Sequence, residues 1–358
     1  MKALPQPLAV YALTSAGAAQ ARRLVPALPQ ATLFLPQGLA GRQAGEEPFQ
    51  RLAEALATNF AHYGGHVVFA AAGIVVRALA PLLRHKTSDP AVVVVDQAGR
   101  FAVSLLSGHL GGANALARRV AEALGGQAVI TTATDSAGLP SLEMLAGELG
   151  LGVENLAALA PVSMALLEGR PPAVHDPQGW LWPILERRWP GLFARVTADQ
   201  ACAQQDQPLI WVGWRCLEPP PGWLVLRPPA LLVGLGCNRG ASAEEMEALL
   251  RRVLAEEVLA PACLAGLASV QAKSDEAGLL ELAARLGLTL KFYSPEELAQ
   301  VEVPNPSPTV AKHMGVASVC EAAALLAAQS RRLLVSKQKS SNVTLAVALA
   351  SPPANSTS

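Results

Sequence analysis

Charge is scarce and balanced in this chain. Of 358 residues, 28 are Lys or Arg, 28 are Asp or Glu, and charged residues make up only 16%. That excludes a global electrostatic grip on nucleic acid or acidic lipid; any anionic ligand must be held by a local cluster of cations or N–H groups. Cysteine is sparse as well. Its five copies (202, 216, 237, 263 and 320) are odd in number, widely spaced and without a CxxC pair. This argues against a disulfide framework and a cysteine-rich metal centre, and fits a reducing cytoplasm. No uninterrupted apolar run reaches the roughly 18 residues of a membrane span; the longest candidate, His66 to Leu83, is broken by Arg77 and Pro81. Lys2 and the apolar stretch after it faintly imitate a signal peptide, but Pro5 and Pro7 come early and Leu8 to Thr14 reads better as a first strand. The chain also lacks a G-x-S-x-G elbow, an H-E-x-x-H pair and Cys/His metal spacing, which disfavours a serine hydrolase or a zinc protease.

What is present is apolar and alternating. Hydrophobic residues make up 51% of the chain, so disorder is excluded, and the length suggests two or three domains. The pattern predicts an α/β fold: two α/β sandwich-type domains with mixed or mostly parallel sheets, joined by a small Trp/Pro-rich middle region. Residues 1–137 form the first domain, with strands at 66–72, 91–96, 101–106 and 127–131 and a hairpin at Ala98-Gly-Arg100. The β-branched run Ala91 to Val95 marks a strand buried on both faces. Residues 138–229 hold all six tryptophans and several proline clusters; tryptophans so grouped either stack on a flat ligand or, more commonly, form the core of a small module. Residues 230–350 form the second α/β domain, where Ser242 and Glu245 predict a capping box. The tail, 351–358, reads as disordered.

Chemistry concentrates in a few loops. Ser107-Gly-His-Leu-Gly-Gly-Ala-Asn114 is a glycine loop feeding a helix N-terminus. Its N–H groups suit a negatively charged oxygen, and His109 suits proton transfer near neutral pH. Asp96 and Thr131-Thr-Ala-Thr-Asp135 end neighbouring strands and are expected on the same rim, with Asp135 either orienting His109 or merely capping the chain. Arg77 interrupts an apolar segment, which predicts a partly buried guanidinium beside a carboxylate. Gly234-Leu-Gly-Cys-Asn-Arg-Gly240 follows a strand and precedes a helix. It is neither a Walker A loop nor a dinucleotide fingerprint, but reads as an anion nest with Arg239 as its cation. Lys273-Ser-Asp275, Val303 to Ser307 and the basic stretch Lys337 to Asn342 are further polar loops of the same domain.

These motifs together resemble the cobalamin-biosynthesis CbiG family. In the first domain the resemblance rests on Gly73 to Pro81, Lys86 to Asp96, Leu105 to Asn114 and Ile130 to Asp135. In the second it rests on Gly234 to Gly240, Val301 to Ser307, Ser318 to Leu325 and Lys337 to Thr344. The C-terminal part is similar to CobE. Gln97 and Asn238 depart from the acidic and basic residues the family often carries there, so neither is given an essential charge.

The resemblance implies hydrolysis of cobalt-precorrin-5A, in which a δ-lactone is opened and acetaldehyde expelled. The cobalt belongs to the substrate and no protein cofactor or metal is implied. The expected partner is the polyanionic corrinoid, with neither nucleic acid nor membrane involved; a homodimer or transient contact with neighbouring pathway enzymes is left open. His109 is the candidate base and Asp135 its partner. Candidates for holding the substrate are Arg77, Lys86, Gly108, Gly111, Gly112, Asn114, Thr131 and Thr132 in the first domain. In the second they are Gly236, Arg239, Gly240, Lys273, Lys337 and Lys339. A corrinoid carrier without chemistry, and a nucleotide-binding α/β enzyme using the loop at 234–240, are the competing readings.

Overall fold

The computed structural model describes residues 4–41, 43–85, 88–109, 111–203, 207–306 and 317–353. The chain divides into two compact units, one ending at Leu145 and the other beginning at Ala146.

The first unit is a seven-stranded sheet. Its strands are β1 (Leu8–Ala12), β2 (Ala31–Pro36), β3 (Glu46–Phe49), β4 (Gly65–Phe69), β5 (Ala91–Val95), β6 (Phe101–Leu106) and β7 (Gln127–Val129), in the order β3-β2-β1-β4-β5-β6-β7. The first five run parallel. Helices α1 (Ser15–Leu24), α2 (Leu52–Asn59), α3 (Ala72–Leu79) and α4 (Ala113–Leu124) cover both faces. Alternation along β1 explains the layering. Leu8, Val10 and Ala12 pack with α1 and α4, whereas Ala9 and Tyr11 pack with α2 and α3. β5, buried on both faces at all five residues, is the β-branched run read from the sequence.

One reversal decides where the chemistry lies. The turn at residues 96–100 makes β6 antiparallel to β5, and β7 follows β6 in parallel. Leu106 therefore lies opposite Val92, near the start of β5. The glycine loop after β6 and the segment after β7 share the rim where the parallel strands begin. Asp96 lies at the other rim, contrary to expectation. It is a turn residue, accepting the N–H of Phe101 at 2.7 Å and of Ala98 at 3.3 Å. α5 (Ala133–Ser136) and α6 (Leu142–Glu148) follow β7.

The second unit contains two sheets. One has β8 (Gly152–Val153), β9 (Ala173–His175), β10 (Ala194–Arg195), β11 (Leu209–Val212) and β12 (Trp223–Arg227), with α7 (Leu159–Leu167), α8 (Trp182–Arg188) and α9 (Ala198–Cys202). Trp180 and Trp223 are buried and the other four tryptophans are half-buried. Trp211 and Trp223 stack at 5.5 Å between ring centroids, and the His175 ring lies 4.0 Å from that of Trp211. The other sheet has β13 (Leu231–Cys237), β14 (Leu264–Val270), β15 (Leu290–Tyr293), β16 (Leu333–Lys339) and β17 (Val343–Leu349), in the order β15-β14-β13-β17-β16. α10 (Ala243–Glu256), α11 (Ala277–Leu286), α12 (Pro295–Ala299) and α13 (Val319–Ala328) accompany it. α13 lies so close to β13 that a Cβ on Gly234 would stand 1.9 Å from the Cys320 carbonyl oxygen. That glycine serves helix–sheet packing and not an anion.

Candidate functional site

His109 sits between two carboxylates. Its Nε2 is 3.2 Å from Asp135 Oδ2 and its Nδ1 is 3.0 Å from Glu143 Oε1. The loop carrying it is tightly folded. Gly112 is left-handed (φ 87°) and starts α4, and the N–H groups of Gly112, Ala113 and Asn114 donate to the carbonyls of His109, Ser107 and Gly108. Those three amides are therefore spent within the loop and are not available to an oxyanion. Gly108 and Gly111 are there for close packing: a Cβ on Gly108 would meet Asn114 Oδ1 at 2.8 Å, and one on Gly111 would meet the Ser107 Cβ at 2.4 Å.

Asp135 draws in several donors. Oδ2 accepts from Thr132 Oγ1 at 2.6 Å and Asn114 Nδ2 at 3.0 Å as well as facing His109, and Oδ1 accepts from Arg118 at 2.7 Å. Buried Asn114 is itself fixed by Ser104, whose hydroxyl donates to its Oδ1 at 2.7 Å. Burial alone would raise the Asp135 pKa, but the bonds from Thr132, Arg118 and His109 outweigh it and hold the pKa below the usual carboxylate range. The His109 pKa is raised, chiefly by the Glu143 hydrogen bond, against the opposing effect of burial and with further help from Asp135. With both ring nitrogens facing carboxylates, the favoured state is the imidazolium.

The sequence reading therefore joined His109, Asp135, Asn114 and Thr132 correctly in space. It missed Glu143, Arg118 and Ser104. Arg118 was findable, since it lies four residues after Asn114 and so on the same face of α4. Thr131 is exposed next to the cluster. Arg77 is not buried and pairs with no carboxylate among the described residues. It is exposed on α3 and donates to the Gly73 carbonyl at 3.1 Å, because that face of α3 is left uncovered. Lys86 lies outside the described residues.

The second candidate region is a cleft of about 370 Å³ at the C-terminal ends of β13 and β14. Gly236, Lys273, Lys337 and Lys339 line it, with Ser318 at the start of α13. Lys337 and Lys339 belong to β16 and not to a loop; only residues 340–342 form the tip. Glu245 explains this. In place of completing the capping box it reaches the tip, accepting from Ser340 Oγ at 2.6 Å and Asn342 N at 2.9 Å, while Ser242 alone caps α10. Fully buried Glu321 accepts from Asn305 Nδ2 at 2.8 Å and Lys337 N at 3.0 Å, and Asn305 O in turn receives Lys337 Nζ at 3.0 Å. The anion nest read at Arg239 and Gly240 is already filled by the chain itself. Gly240 N donates to Glu276 at 2.8 Å, and Arg239 pairs with Asp275 at 2.7 Å. That leaves the nucleotide reading without its binding loop. Among the described residues, no group of three His, Cys, Asp or Glu side chains is arranged to hold a metal ion, and no helix is long and apolar enough to cross a membrane.

Comparison with known proteins bears on the whole chain. Three family models match in order: "Cobalamin synthesis G N-terminal" over residues 54–135, "Cobalamin biosynthesis central region" over 140–228 and "Cobalamin synthesis G C-terminus" over 231–348. A cobalt-precorrin-5A hydrolase of Priestia megaterium is 34% identical over 352 residues, covering 95% of this chain and 94% of that protein. The chain belongs to the cobalamin synthesis G family. A second member, the cobalt-precorrin-5A hydrolase of Salmonella typhimurium, is 36% identical over 340 residues, covering 92% of this chain and 94% of its own. Protein CobE of Sinorhizobium sp is 36% identical over 121 residues, a third of this chain and 79% of its own length. The His109 cluster is built within or just beyond the segment matched by the N-terminal model of the family, and the lysine cleft within the segment matched by the C-terminal one.

Proposed function

We propose that this chain is a cobalt-precorrin-5A hydrolase, opening the δ-lactone of its corrinoid substrate with water and releasing acetaldehyde. The observation that carries the reading is its end-to-end similarity to two curated proteins of that name. The chemistry of the first unit suits it. Lactone hydrolysis needs a proton acceptor for the attacking water and positive charge near the developing oxyanion. A partly exposed imidazolium locked between carboxylates supplies the charge in fixed orientation. Acetaldehyde release is a retro-aldol cleavage, for which the cobalt macrocycle serves as electron sink, so the reaction calls on no resident cofactor. The lysine cleft suits acetate and propionate side chains.

Incubation of the chain with cobalt-precorrin-5A tests the reading. Mass spectrometry should show net loss of a two-carbon unit from the corrinoid, with one equivalent of acetaldehyde trapped as its hydrazone. Tight corrinoid binding without acetaldehyde would instead make the protein a carrier. His109→Ala should lower turnover by about 10²–10⁴-fold.

A further inference from the structure

Of the three ionisable groups at the centre of the cluster, Glu143 has the fewest hydrogen-bond partners among the described residues. Asp135 already receives Thr132, Asn114, Arg118 and His109 on its two oxygens. His109 faces a carboxylate at each ring nitrogen and so lacks the lone pair a base needs. Glu143 differs. Its Oε1 meets His109 and it has no other hydrogen-bond partner among the described residues, while its side chain, 20% exposed, is about as open to solvent as those of Asp135 and His109. It also stands in the first turn of α6.

Building on the hydrolase reading, we propose that Glu143 is the general base of lactone hydrolysis and that His109 enters the reaction as the acid. Glu143 takes one proton from water as the water oxygen bonds to the lactone carbonyl carbon. The tetrahedral intermediate collapses, the ring C–O bond breaks, and its electron pair stays on the departing oxygen. That oxygen takes the Nδ1 proton of His109, which Glu143 no longer holds once it is protonated. Glu143 then returns its proton to Nδ1 across the 3.0 Å contact, and the pair is restored with one water consumed. Asp135, with Arg118, Thr132 and Asn114 behind it, is a positioning residue that keeps Nε2 protonated and the ring fixed.

The test is the pH–rate profile of Glu143→Gln in the full chain. The amide oxygen can still accept from Nδ1, so the ring stays in place. A wild-type enzyme inactive on cobalt-precorrin-5A would overturn the hydrolase reading itself; the variant is informative once the wild type turns over. We expect kcat to fall by about 10²-fold or more with KM nearly unchanged, and not to recover between about pH 5 and 8. Formate should partly rescue Glu143→Ala. Near wild-type kcat in Glu143→Gln would overturn the proposal. So would recovery of activity at low pH, since that would mean Glu143 serves only to keep His109 protonated. A loss accompanied by a lowered melting temperature is resolved by the formate rescue: restored turnover supports the base role, and its absence overturns it.

Discussion

His66 and His109 are both histidines of the first unit, yet their surroundings drive them to opposite charge states. His66 is completely buried beside Tyr11 and Phe60, and burial pushes its pKa down to about 4, only partly offset by its bond to the Phe60 carbonyl. Above its ordinary pKa of 6.5 the ring is neutral in both folded and unfolded chains and pH has no leverage. Below that value the unfolded chain binds a proton that the folded one refuses. Stability should therefore fall between about pH 6.5 and 4, by about 3 kcal/mol in total. Urea midpoints at the two ends of that window should show the loss, and His66→Phe should abolish most of it. At this scale the sequence was informative where a residue sat in a motif, as with His109 and Asp135. It was silent about Glu143 because nothing in a carboxylate at the start of a short helix says where it points. It misled at Arg77, where an arginine in an apolar segment suggested burial, yet the helix leaves that face to solvent.

Secondary-structure elements were legible where periodicity was strong. Ala91 to Val95 and Leu231 to Leu235 announce themselves as buried strands, and α10 starts at the Ser242 cap that the sequence marks. β3, with Glu46, Glu47 and Pro48, looks nothing like a strand, because an edge position tolerates charge and a missing donor. The short turn already implies that β6 runs back along β5 and so that Asp96 and His109 occupy opposite rims; only the parallel pairing of β7 with β6, which brings the Asp135 segment to the His109 rim, needed the structure. The close approach of α13 to β13 makes a sharper prediction. Gly234→Ala places a methyl against the Cys320 carbonyl, which cannot move without shifting the helix. It should cost about 3 kcal/mol, read as a lowered melting temperature, while Gly125→Ala, strained only by its positive φ, should cost about 1 kcal/mol.

For the molecule as a whole, the second unit depends on one buried cation. Arg227, 1% exposed, pairs with Glu154 and donates to the carbonyls of Gly213 at 2.8 Å and Arg215 at 2.7 Å. The segment it holds then bonds to the connection between α10 and β14, through Ala260 N to Trp214 O and Cys216 N to Val258 O. Arg227→Met should cost about 1–3 kcal/mol, chiefly by leaving the Gly213 and Arg215 carbonyls unpaired, since Glu154 is partly exposed and can be solvated. Hydrogen exchange should show loss of protection in β11 and β12 before any change in β1 or β4. The loop after β13 carries a different lesson. Gly240 has its own counter-anion in Glu276, a built-in plug in a socket that sequence alone would leave open for a ligand. Glu276→Ala should unplug it, and sulfate should then protect the variant from heat while leaving the parent protein indifferent. A loop shaped for a guest can thus be kept shut by the chain's own carboxylate.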